Sequence, residues 1–95
     1  MRMSLSNLMY IVIENLDYLI QQSIGALKQL MFVDASHNQL ATLPGELEGC
    51  QSLADLHLTS NCLTALPDAV GNLANLTTLK VDDNQLTTLP KTLGG

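Results

Sequence analysis

Three stretches of this chain, "LMFVDASHNQLATLP", "LADLHLTSNCLTALP" and "LTTLKVDDNQLTTLP", fall into register at a constant spacing of 23 residues. Leu30, Leu53 and Leu76 open the units, and Asn38, Asn61 and Asn84 follow. Then come Leu40, Leu63 and Leu86, and the pairs Leu43-Pro44, Leu66-Pro67 and Leu89-Pro90. A fixed period of this length restricts the chain strongly. Each unit is one supersecondary element that cannot bury its apolar face alone, so neighbours must stack.

The order L-x-x-L-x-L-x-x-N-x-L at this period is the leucine-rich signature. After the first leucine the residues alternate between apolar and polar, which predicts a short strand with one buried face. Leu56 and Leu58 point inward; Asp55 and His57 point out. Each further unit adds a parallel neighbour about 4.8 Å away, so equivalent positions form columns. The predicted fold is an α/β leucine-rich repeat solenoid, with short parallel strands on the concave face and helical or irregular return segments.

The columns explain the asparagines. After the strand the chain turns towards the interior, leaving backbone N–H and C=O groups where little water reaches, and an amide side chain supplies both a donor and an acceptor. Asn38, Asn61 and Asn84 are therefore predicted to form a structural ladder. Pro44, Pro67 and Pro90 fix φ where the return segment begins, which suits the first position of a helical turn. In "PGELEGC" and "PDAVGNL", Leu47 with Cys50 and Val70 with Leu73 stand three apart, on one face of a short turn. Cys50 takes the slot of Leu27 and Leu73 and reads as a small buried hydrophobe. Gly25, Gly71 and Gly94 share a repeat position, broken by Glu48, and read as turn glycines. No G-x-G-x-x-G or Walker pattern accompanies them, so no phosphate loop and no cofactor are expected.

The repeats occupy residues 24–95, and residues 1–23 fit the frame poorly. Asn15 falls on the amide slot, but Asn7 and Asp17 take leucine positions and Gln21 replaces proline. Two readings stay open: a degraded first repeat or cap, and a start foreign to the array. The apolar opening "MRMSLSNLMYIVIENLDYLIQQ" is interrupted by Asn7, Glu14, Asn15 and Asp17 before the roughly 20 residues that a span needs. It also lacks the layout of a signal peptide. Cys50 and Cys62 have neither C-x-x-C spacing nor flanking cysteine caps, which points to a reducing compartment and leaves the sequon Asn75-Leu76-Thr77 silent. With 46% apolar and 14% charged residues the chain is not disordered, and a net charge of −5 argues against nucleic acid as partner.

From Ile24 onward, "IGALKQL", "EGCQSLADLHLTSNCLTALPDAVGNL" and "TTLKVDDNQLTTLP" resemble the leucine-rich region of the LAP family (Erbin, Densin, Scribble, Lano), over about three quarters of the chain. The resemblance implies part of a longer repeat array in a scaffold or adaptor of the cell-polarity or junction type. It implies a cytoplasmic protein, at the basolateral membrane or cell junctions, with peripheral membrane association only through the full-length molecule. PDZ domains have no counterpart in this sequence, nor do the amino-terminal cysteines that support palmitoylation in some members. Repeats of this length with Leu-Pro also occur as regulatory segments of signalling enzymes such as phosphatases, adenylate cyclases and Roco-type kinases. That is the alternative reading.

A partner is expected on the outward strand positions, which do no core packing. These are Phe32, Asp34, Ser36 and His37; Asp55, His57, Thr59 and Ser60; and Thr78, Lys80, Asp82 and Asp83. Phe32 is the large hydrophobe of the set, either an anchor for a partner or a cover for a neighbouring side chain. Asp34, Asp55, Asp82 and Asp83 against Lys80 favour a basic or mixed-charge protein segment. Asp34, His57 and Lys80 share a column near Ser36 and Ser60, but no oxyanion hole or substrate pocket is announced, so no catalysis is expected. His37, His57 and Cys62 with a carboxylate lack any known zinc-ligand spacing, and no metal is expected.

Overall fold

The computed structural model describes residues 10–12 and 23–94. Four short strands, β1 (Tyr10–Val12), β2 (Phe32–Asp34), β3 (Asp55–His57) and β4 (Thr78–Lys80), form one parallel sheet in chain order. Phe32, Asp55 and Thr78 stand side by side, as do Asp34, His57 and Lys80. The constant spacing thus places the same repeat position opposite itself in each neighbour. Tyr10 pairs with Phe32, so the sheet extends upstream of Ile24 with a step one residue shorter than the later ones. The expectations for Asn7, Asn15, Asp17 and Gln21 lie outside the described residues.

The backbone ladder continues past the strands. Leu58 N–H donates to the Lys80 carbonyl at 2.7 Å, and Ser60 N–H to the Asp82 carbonyl at 3.0 Å. The strands then end in a tight turn. His37, Ser60 and Asp83, at one repeat position, have φ of 60°, 61° and 56°. The sequence pattern counts these three as outward strand positions, and the structure corrects this: each is a left-handed turn residue that steers the chain inward, directly before the ladder asparagine. That conformation costs a side-chain-bearing residue about 1–2 kcal/mol, less for Asp and Asn, so the asparagine bonds beside it must hold it.

The return segments carry 3₁₀ turns at Ile24–Ala26, Gly45–Gly49 and Lys91–Gly94, and one turn of α-helix at Asp68–Gly71. Pro44 and Pro67 stand immediately before their turns, with ψ of 146° and 159°. They are caps rather than first helical residues. Their extended backbone leads into the turn, and their carbonyls accept its first bond, from Leu47 and Val70 N–H. The glycines need a second correction, because none in the described residues has positive φ. A Cβ on Gly25 would run into the Glu46 carbonyl, and one on Gly71 into Thr92. A Cβ on Gly49 would come within 2.8 Å of the Gly25 Cα. Glycine is used here because adjacent return segments approach too closely for a Cβ, backbone to backbone at Gly25 and Gly49 and against Thr92 at Gly71, with Thr92 Oγ1 donating to the Asp68 carbonyl at 3.0 Å.

Between sheet and return segments lie the columns: Leu30 and Leu53, Val33 and Leu56, Ala35 and Leu58, Leu40 and Leu63, Leu47 and Val70, all buried. Cys50 lies between Leu27 and Leu73 in its column, fully buried, and its thiol donates to the Ile24 carbonyl at 3.1 Å. Burial pushes that thiol's pKa up to about 11, which makes it inert, whereas Cys62 is exposed; both are free. In the last unit Leu76, Leu79, Val81, Leu86 and Leu93 are only partly covered, and Leu89 is exposed.

Candidate protein-binding face

Each ladder asparagine fixes the turn that presents the concave face. Asn61 Nδ2 donates to the Leu58 carbonyl at 2.9 Å and to the Ala35 carbonyl of the preceding unit at 3.0 Å. Its Oδ1 accepts from Leu40 N–H at 3.1 Å, also in the preceding unit. Asn84 repeats the arrangement one unit on, with Leu58, Val81 and Leu63 as partners. Asn38 Nδ2 donates to the Ala35 carbonyl at 2.8 Å. One amide therefore closes its own turn and ties it to the unit before, which keeps the outward side chains in register.

On that face the two rings of Phe32 and His57 meet at 4.8 Å between centroids, tilted by 59°. Phe32 is half-buried and covers its neighbour in the next strand. The aspartates are held differently. Asp34 Oδ1 accepts Ser36 N–H at 3.0 Å, and this bond, with help from the Ser36 hydroxyl and the nearby His57 and His37, keeps its carboxyl below the usual carboxylate range. Thr59 Oγ1 donates to Asp82 at 2.9 Å and Ser60 Oγ to Asp83 at 2.8 Å, each across one unit. The Asp55 carboxylate meets no hydrogen-bond or charged partner among the described residues, although its backbone N–H donates to the Met31 carbonyl at 3.1 Å. Thr78 is half-buried and Lys80 exposed.

The register brings Asp34, His57 and Lys80 side by side. Among the described residues the nearby hydroxyls are engaged elsewhere: Ser36 and Thr59 serve Asp34 and Asp82, and Ser60 gives its proton to Asp83. Among the described residues no three of His, Cys, Asp and Glu come together as metal ligands, and no helix is long and apolar enough to cross a membrane. A second concavity, about 470 Å3, opens where the strands begin, lined by Gln29, Met31, Ser52, Ala54 and Asn75. The outward-strand rule passes over it because its residues precede the strands. Its signal was the column Gln29, Ser52, Asn75, one residue per unit. Asn75, the sequon asparagine, donates to the Gln51 carbonyl there at 2.8 Å.

A family model described as leucine rich repeat matches residues 43–86. Among solved structures, the chain is similar to a leucine-rich repeat protein of Leptospira interrogans, with a TM-score of 0.71 and 35% identity over 76% of this chain. It spans 18% of that protein's length. No curated protein matches it. The stacked units with their asparagine turns form an open leucine-rich repeat solenoid, a domain type that generally serves protein interaction.

Proposed function

We propose that this chain is the interaction module of a scaffold or adaptor protein and not an enzyme, and that its concave face takes up a basic or mixed-charge segment of a protein partner. The observation that carries the reading is the charge on residues without a core role. Asp34, Asp55, Asp82 and Asp83 lie along the strands and their turns, and Lys80 is the cation among them. Fields of one sign steer association and reject like-charged partners more than they add affinity. The residues that form the binding face are Phe32, Asp34, His37, Asp55, His57, Thr78, Lys80, Asp82 and Asp83. The resemblance of the repeats to the LAP family supports a polarity or junction scaffold at the cytoplasmic side of the membrane. The full-length sequence separates the readings: PDZ domains support the scaffold, and an appended catalytic domain makes the repeats a regulatory segment of a signalling enzyme.

The face itself is tested by charge reversal. Asp55→Lys should slow association with a peptide of alternating lysine and arginine, and the loss should shrink as salt rises. Glu48→Lys, at an exposed position of the 3₁₀ turn Gly45–Gly49, should leave the rate nearly unchanged. If Glu48→Lys is the more damaging, the partner binds the return side.

A further inference from the structure

The outward aspartates are not equivalent as receptors. Asp34, Asp82 and Asp83 already accept bonds from Ser36, Thr59 and Ser60, and a partner's cation would have to share them. Asp55 carries no such bond among the described residues, although it sits at the middle of the sheet with Phe32 beside it on β2 and Thr78 on β4. Two residues along β3, on the same face, stands His57, packed against Phe32. A carboxylate left open beside a tilted ring pair is a particular chemical environment.

We infer that Asp55, with the wall made by His57 and Phe32, receives an arginine side chain of the partner. This deepens the concave-face reading and rests on it. A guanidinium matches both parts: its fork pairs with a carboxylate through two hydrogen bonds, while its plane lies against a ring. A lysine ammonium offers the charge without the plane or the fork. Lys80, beside His57 in the register, repels a cation at that end of the strands and directs it to the Asp55 end. Thr78, half-buried on the other side of Asp55, adds a small polar wall with no charge.

N-acetyl-arginine amide and its lysine counterpart, titrated into the isotope-labelled chain and followed by NMR, test the assignment. The arginine probe should shift the His57 ring and Asp55 signals first, and the lysine probe should bind about tenfold more weakly. Asp55→Asn keeps the side chain's shape and should weaken arginine binding about tenfold, whereas Asp82→Asn should change it by less than about twofold. Equal binding of both probes, or an unchanged affinity in Asp55→Asn, overturns the inference. Largest shifts at Asp82 and Asp83 overturn it too, while leaving the concave face as the binding side. Shifts confined to the return segments would remove both.

Discussion

Leu56 and Leu79 occupy the same repeat position on adjacent strands, yet Leu56 is 1% exposed and Leu79 is half-open to solvent. The contrast runs through the two units. Leu53, Leu58, Leu63 and Leu66 are buried, and their counterparts Leu76, Val81, Leu86 and Leu89 are partly covered or, for Leu89, 58% exposed. The difference is not in the apolar pattern of the units, which set leucine or valine at the same positions. It lies in their neighbours: among the described residues, 53–75 meet a unit on either side, and 76–94 meet one on the side of β3. In such an array the burial of a side chain is supplied by the adjoining unit, so stability is a sum of neighbour interfaces.

Matched substitutions measure that difference directly. Leu56→Ala should cost about 2–5 kcal/mol, since it removes a sealed side chain and leaves a cavity. Leu79→Ala should cost about 1 kcal/mol, because part of its surface already meets water and the site can relax. Urea melts of both variants give the two values. Equal losses would show that the last unit is covered in solution, and the comparison would collapse.

The ladder gives the next contrast. Asn61 is buried and serves the Ala35 and Leu58 carbonyls and Leu40 N–H, so Asn61→Ala should cost about 1–3 kcal/mol through groups left unpaired. Asn84 makes the same kind of bonds where water can replace it, and its alanine variant should lose about half as much or less. Hydrogen exchange at Leu40 N–H and Leu63 N–H reads the two turns separately. If both amides become equally exposed, the turn is held by the strand ladder and not by the asparagine.

Much of this architecture is legible in the sequence. A spacing of 23 residues is enough to place Leu30, Leu53 and Leu76 in one column, and an amide after each strand implies buried backbone groups to serve. What the spacing does not contain is the local geometry of each position. His37, Ser60 and Asp83 share no residue type that announces a left-handed turn, so the pattern extends the strand through them. Gly25 and Gly71 read as turn glycines because their neighbour across the return side is invisible in the sequence. The outward aspartates are legible as a set. That the Asp55 carboxylate, unlike the others, meets no donor among the described residues depends on Ser36, Thr59 and Ser60 reaching across turns and units, which spacing does not encode.

Acid should act on the outward face of the array. Asp34 has its pKa lowered in the folded state by the Ser36 bond, so the unfolded chain holds the proton more tightly. That contribution is complete above the ordinary carboxylate pKa and is lost as pH falls through the lower folded value. The stability gap between the wild type and Asp34→Asn should therefore be constant near neutrality and close as pH drops below the usual Asp range. Melts across that window decide it, and a gap that widens in acid would mean the bond does not favour the ionised form.

The smallest change in stability is expected where the last unit is most open. Leu89→Lys should leave the urea midpoint within about 0.5 kcal/mol of the wild type, because a side chain that is already largely in water loses little by becoming charged. The same change at Leu66, 6% exposed in the same column, would bury a charge and unfold the chain. The effect of Leu89→Lys should appear instead in association. Partly covered leucines next to an outer strand form a surface on which copies can stack. Lys80 already blunts β4 at one end, and a second lysine at position 89 would place like charges on the rest of that surface. Light scattering should then show less association for Leu89→Lys than for the wild type, at unchanged stability. Equal scattering would mean that the open end of the solenoid is not where copies meet.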